Sequence, residues 1–330
     1  MILAGDIGGT KTILAVYGRQ DNVWACIKKH SYANADFAEF DELLDDFLEQ
    51  SHAKLLQGIC LGVAGPVING RCQTTNLPWL LEQASIARKF GVNNVALLND
   101  LEATAWGILG LADDQLVELN PQAVANNQGH MAVIAAGTGL GEAIIFQDGN
   151  RYQVIAGEGG HTDFGPNSDQ EIALLTCLRK KYPDHVSYER LVSGEGLYNI
   201  YQFLKASGEG RETDAFNHQL DLHDPAAVIG RAGVMQENEL SIKAVNLFCK
   251  IYGAEASNLA LKCLPYGGMY LAGGIASKLL PSLQQGGFME GFLAKGRYRS
   301  VLQNIPVKVC LNNECALEGA LAFARQKLLG

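Results

Sequence analysis

Apolar residues along the chain fall into short runs and helical stripes that alternate. Ile2–Ile7 is an apolar run, Gly8-Gly9-Thr10 interrupts it, and Thr12–Tyr17 resumes it. The pattern predicts two strands joined by a tight glycine turn, with Val23–Lys28 as a third strand. Phe37–Leu48 has apolar residues at 37, 40, 43, 44, 47 and 48, the period of a helix. Gly58–Val63 reads as a buried strand ended by Gly65-Pro66, and Val67–Cys72 as a short hairpin arm. Leu80–Phe90 reads as helix, Val95–Leu98 as strand and Leu101–Leu109 as helix. Asn99 and Asp100 thus lie where a strand ends and a helix begins, the place where open α/β sheets gather ligands.

The pattern then repeats. Met131–Ala136 is a strand, Gly137-Thr138-Gly139 a turn, and Gly141–Phe146 another strand, followed by Tyr152–Ala156. This echo of the first residues suggests two related α/β units. Beyond it helix dominates: Asp169–Lys181, Leu197–Ala206, Ala226–Gly230 and Glu239–Lys262. Met269–Ala272 is a strand, Gly273-Gly274-Ile275 opens the next helix, Val307–Leu311 is a late strand and Glu314–Leu328 a closing helix. Gln115–Gly129 and Gly208–His223 are polar and read as loops, the first of them a domain boundary.

A length of 330 residues suits about two domains. With 48% hydrophobic and 18% charged residues the chain has a globular balance. A net charge of −9 argues against a general nucleic-acid or membrane-surface binder. No apolar run is long enough to span a bilayer; Met131–Phe146 is cut by glycines and by Glu142. No signal segment is visible before Asp6, and the eight cysteines lack CxxC spacing. These features predict a soluble cytoplasmic protein with reduced thiols.

Glycine is in excess, 37 residues of 330, and it clusters after strands. The clusters are Asp6-Ile7-Gly8-Gly9-Thr10-Lys11, Gly137-Thr138-Gly139-Leu140-Gly141 and Ala272-Gly273-Gly274-Ile275. One glycine turn is usually only structural. Three after strands, two with a Gly-Thr pair, favour a nucleotide site, because backbone N–H groups and hydroxyls suit phosphate oxygens. Neither a Walker A loop nor GxGxxG is present, and no protein-kinase motifs appear. Asp6 at a strand end could hold Mg²⁺ through water, or merely brace the turn. Asp100 could be a general base for an alcohol, or a helix N-cap. Gly157-Glu158-Gly159-Gly160-His161-Thr162-Asp163 would bring Glu, His and Asp close to a small ligand. Glu189, in Ser187-Tyr188-Glu189-Arg190, reads equally well as a first-turn helix acid.

Taken together these segments resemble the bacterial glucokinase family of the actin-like, hexokinase-like ATPases. Carrying the resemblance are Gly5–Thr10, Ala64-Gly65-Pro66-Val67, Thr75-Asn76-Leu77-Pro78-Trp79, Leu98–Ala103, Gly137–Gly141, Glu158-Gly159-Gly160-His161, Glu189–Gly194 and Leu271–Ile275. It covers nearly the whole chain. The resemblance implies two actin-like (ribonuclease H-like) α/β domains around a central cleft, the second with a large helical portion. It implies a discontinuous N-terminal domain of 1–110 plus about 302–330, and a second domain of 111–301. Glucose would lie deep in the cleft, contacted by Asn99, Asp100, Glu158, His161 and Glu189, with Asp100 the base on the 6-hydroxyl. Gly8, Gly9, Thr10, Gly137 and Thr138 would hold ATP phosphates, Gly273 and Gly274 would lie near the adenosine, and Asp6 would face Mg²⁺. The resemblance also suggests a homodimer. The cysteine-rich zinc loop of sister sugar kinases has no counterpart after His161, and with the first strand starting at Ile2 the DNA-binding helix-turn-helix of the related repressors is not expected. Two rivals stand beside this reading: a kinase for another hexose or small hydroxyl or carboxylate substrate, and a non-enzymatic sugar sensor.

Overall fold

The computed structural model describes residues 1–21, 23–53, 55–74, 77–149 and 151–329. Of the sequence motif at 75–79, Thr75 and Asn76 lie outside the described residues. The chain forms two compact α/β units, Met1–Asp113 with Asn312–Gly330, and Asp114–Leu311.

In the first unit β1 (Ile2–Ile7), β2 (Lys11–Gln20) and β3 (Val23–Ala33) form an antiparallel meander. Helix α1 (Phe40–Ser51) follows, its start closed by a capping box between Glu39 and Glu42. Its apolar stripe buries Phe40, Leu43, Leu44 and Phe47 against the sheet. Each such side chain is worth about 1.5–3 kcal/mol of burial. Strand β4 (Gly58–Val63) pairs parallel to β1 and is buried throughout, as a sheet-centre strand requires. A small hairpin of β5 (Arg71–Gln73) and β6 (Leu80–Glu82) leads into α2 (Gln83–Phe90). The helix expected from Leu80 therefore starts three residues late, because Leu81 pairs with Cys72 and both are buried. Strand β7 (Val95–Asn99) and helix α3 (Asp100–Ile108) complete the unit, whose sheet order is β3-β2-β1-β4-β7. The closing helix Cys315–Phe323 packs on α3 and continues as a π-turn through Ala324–Leu328.

The second unit builds the same sheet again. Here β9 (Met131–Ala136), β10 (Leu140–Asp148) and β11 (Arg151–Gly157) make the meander, and β12 (Gly268–Ala272) and β13 (Val307–Cys310) add in parallel. The order β11-β10-β9-β12-β13 and its strand directions reproduce those of the first sheet. Strand β8 (Leu116–Glu118) adds antiparallel on β13, so part of the expected 115–129 loop is a sheet edge. The helices of this unit include α4 (Asp169–Lys181), α5 (Gly194–Ala206), α6 (Asp214–Leu222), α7 (Pro225–Val234), α8 (Glu239–Cys263) and α9 (Gly273–Lys278). Helix α6 corrects the expected loop at 208–223. Thr213 caps it, and of its residues only Leu220 is buried, so its apolar periodicity is faint. The long α8 buries residues on most of its faces, as the central helix of a unit must. No described helix is long and apolar enough to cross a membrane.

Candidate active site

The first unit presents its candidate groups at one end of one sheet. Ile7, Val63 and Asn99 are in register across β1, β4 and β7, so Asp6, Gly8 and Asp100 cluster at the carboxyl ends of parallel strands. The turn between β1 and β2 is closed by Gly8 N–H donating to the Lys11 carbonyl at 3.0 Å. Beneath it sits Asn34, 2% exposed. Its Nδ2 donates to the Gly8 carbonyl at 2.9 Å, its Oδ1 accepts from Thr12 Oγ1 at 2.7 Å, and its N–H donates to the Thr10 carbonyl at 3.0 Å. Sequence reasoning missed Asn34. Nothing in Ala33-Asn34-Ala35 distinguishes it from a loop residue; only the fold brings it under the turn. Replacing Asn34 with Ala leaves the buried Thr12 hydroxyl without its acceptor and the Gly8 carbonyl without its donor, each costing about 1–3 kcal/mol. We expect N34A to lower the urea midpoint by an equivalent of roughly 2 kcal/mol or more; an unchanged midpoint would refute the brace.

At the β7–α3 junction the capping role falls to Asn99, not Asp100. Asn99 Oδ1 accepts from Leu101 N–H at 2.9 Å and Glu102 N–H at 3.4 Å. Asp100 is the first helical residue, exposed, with Oδ1 accepting from Leu101 N–H at 2.8 Å. Its carboxylate lies at the positive end of the helix dipole, where a negative side chain is stabilising. Asp6 is half-buried. Burial, then the charge of Asp100, push its carboxyl up to about 6, while Lys11 pulls the other way.

The second unit gathers the other groups. Gly137 N–H donates to the Gly139 carbonyl at 2.8 Å, and the Gly137 carbonyl accepts from Gly194 N–H at 2.9 Å. That bond ties the turn to the start of α5, where Ser193 caps the helix. Gly273 has φ +84° and lies so close to the Ala136 carbonyl that a Cβ would overlap it. Glycine is therefore required there on both counts, and the turn after β12 packs on the end of β9 next to Gly137. Thr138 and Gly274 are exposed beside this contact.

The 157–163 loop makes a 3-10 turn over Gly159–His161 and then runs beside the 185–189 segment. Phe164 N–H donates to Val186 O and Tyr188 N–H to Thr162 O, each at 3.0 Å. This pairing sets His161 opposite Glu189, Nε2 to Oε1 3.9 Å. Glu189 lies in a short 3-10 turn, not the first turn of an α-helix. Its Oε2 accepts from Leu140 N–H at 2.9 Å, which fastens the carboxylate to the Gly-Thr-Gly turn. Glu158 stands exposed at the head of the loop. Within this unit the structure brings together Gly137, Thr138, Gly273, Gly274, Glu158, His161 and Glu189. Within the first it brings together Asp6, Gly8, Gly9, Thr10, Asn99 and Asp100.

Two copies of one α/β sheet, each with a glycine turn in its first hairpin and acidic groups beside that turn, define the architecture of a sugar-kinase-like ATPase. The family model Glucokinase matches residues 3–327, and the chain belongs to the glucokinase family. The glucokinase of Nostoc punctiforme is 40% identical over 340 residues, covering 98% of each chain. That of Tolumonas auensis is 35% identical, covering 99% of this chain and 98% of its own. Among solved structures, a glucokinase from an Antarctic psychrotroph superposes with a TM-score of 0.84 at 28% identity, covering 99% of both chains.

Proposed function

We propose that this protein transfers the γ-phosphoryl group of ATP to the 6-hydroxyl of D-glucose, giving glucose 6-phosphate and ADP. Full-length membership of the glucokinase family supports the acceptor. The observation that carries the chemistry is Asp100, exposed at the carboxyl end of the parallel strands and held by its own helix start.

A sugar hydroxyl is a weak nucleophile, and a triphosphate repels it. Positioning, charge neutralisation and proton acceptance are therefore needed. Asn99, Glu158, His161 and Glu189 orient the sugar through its hydroxyls. Asp100 accepts the 6-hydroxyl proton as the phosphoryl group moves. Gly9, Thr10 and Thr138 offer N–H groups and the threonine hydroxyls to phosphate oxygens, Gly8 and Gly137, whose own N–H groups close the two turns, let the backbone approach the polyphosphate, and Gly273 with Gly274 lies beside the adenosine. Asp6 suits a magnesium ion, since a carboxyl raised first by burial and then by the neighbouring Asp100 is relieved by a divalent cation. When bound, that ion supplies neutralisation of the polyphosphate. We propose further that the enzyme works in the cytoplasm at the entry to glycolysis, as a homodimer.

The test is ADP release by purified protein with Mg-ATP across a hexose panel and a no-sugar control. Turnover confined mainly to glucose is expected. Turnover with another acceptor would move the substrate assignment. Binding of glucose without turnover would make the protein a sensor.

A further inference from the structure

Behind the 157–163 loop lie two carboxyls that the mechanism above does not use. Glu142 on β10 is 3% exposed and Glu255 on α8 is 1% exposed. The two side chains meet within hydrogen-bonding range. Glu142 Oε1 and Glu255 Oε1 are both buried, and no donor of the described residues reaches either. Two ionised carboxylates carry only acceptors, whereas one proton between them satisfies both oxygens.

The remaining oxygens point to opposite tasks. Glu255 Oε2 accepts from Asn258 Nδ2 at 2.7 Å. The same Nδ2 reaches the Tyr188 hydroxyl at 3.0 Å, and Asn258 Oδ1 accepts from Lys295 Nζ at 2.5 Å. Glu255 thus has a donor of its own, with Lys295 behind it, and is the better seat for the charge. Glu142 Oε2 faces the loop: a Cβ on Gly159 would overlap it. Glu142 also pairs with Gly157 across β10 and β11. One polar network therefore underlies both Gly159, between Glu158 and His161, and Tyr188, next to Glu189.

We propose that Glu142, holding a proton that it shares with Glu255, is a positioning residue that sets the place of Gly159 and thereby aims Glu158 and His161 at the sugar. The inference rests on the glucose-binding reading above. The groups facing the pair agree with it. Burial and then the charge of Glu255 push Glu142 up to about 8, against a smaller pull from Lys262. Burial raises Glu255 as well, against smaller pulls from its bonds to Asn258 and Glu142 and from the charges of Lys262 and Lys295. Glu171 faces Lys295 from α4. Cys263, pushed up to about 12, and Tyr252, raised further, stay neutral where the pair titrates. Below about pH 8 the pair keeps its proton. Above it, two like charges are left in contact beneath the loop.

Steady-state kinetics of wild type, E142Q and E255Q across that range tests the idea, with melting curves confirming that the variants are folded. In the wild type the KM for glucose should rise on the order of tenfold as the pair loses its proton, equivalent to about 1.4 kcal/mol, while kcat changes less. Either glutamine supplies a donor that cannot ionise, so both variants should keep a low KM and lose the alkaline rise. A wild-type minus E142Q infrared difference spectrum at neutral pH should contain a protonated-carboxyl stretch. Identical KM profiles in wild type and E142Q, or no such stretch, would overturn the inference alone. No hexose turnover by wild type would sink the functional reading, and this inference with it.

Discussion

Asp100→Asn should cut kcat with glucose by about 10²–10⁴-fold, the usual contribution of a positioned acid–base group, with the fold intact. Asparagine keeps an Oδ1 that can accept from Leu101 N–H, so the local geometry at the start of α3 survives. The Asn99 cap and the Thr104 hydroxyl bonded to the Asp100 carbonyl are untouched. The lost carboxylate removes a favourable charge at the helix N-terminus, worth about 0.3–1 kcal/mol. It also removes repulsion from Asp6, so the two effects offset. The substitution deletes the proton acceptor. KM for glucose should change far less than kcat, the pattern of an interaction made in the transition state. Asp100→Ala should lose at least as much turnover. Retention of kcat within a few-fold in both variants would take Asp100 out of the mechanism.

Much of this was legible in the chain, for a reason visible in particular residues. Strands such as Ile2–Ile7, Gly58–Val63 and Met131–Ala136 are buried at sheet centres, so they read as apolar runs bounded by glycine. The Gly-Thr echo marked two copies of one sheet because the same hairpin opens each. What did not read was decided by pairing. Val23–Lys28 extends to Ala33 because β2 is long enough to pair with it, although most of the added residues are exposed. Leu80–Glu82 is strand because Cys72 lies opposite Leu81. At the site, the roles of Asn99 and Asp100 could not be separated by sequence, since either suits a helix start; the backbone gives the cap to Asn99. Asn34, Glu142 and Glu255 carry no motif. Their parts follow from contacts between strands and helices distant in sequence, where a buried polar atom must find a partner.

Asp6→Asn should do two opposite things, and their coexistence is the test of its assignment. Asp6 rises from an ordinary value of 3.8 to about 6 in the folded chain. Between those values the folded state binds more protons than the unfolded one, so stability falls as pH rises through that window and stays lost above it. A shift of about two units corresponds to roughly 3 kcal/mol at neutral pH, an upper bound for a group only half-buried. The neutral amide escapes this cost. D6N should melt several degrees above wild type near pH 7.5 without ligands, and the gap should close below about pH 4, where both side chains are uncharged. Turnover should move the other way. The carboxylate is the group suited to the magnesium ion beside the polyphosphate, and charge stabilisation of several kcal/mol is at stake, so kcat should fall by about 10²-fold or more. Wild-type kcat/KM for Mg-ATP should also show an acid limb near pH 6, because the free enzyme must ionise Asp6 first, and D6N should lack it. A variant that is more stable and nearly inactive, with no acid limb, identifies Asp6 as a charge kept for function at the expense of stability. A variant that is more stable and fully active would leave Asp6 as a brace for the glycine turn and nothing more.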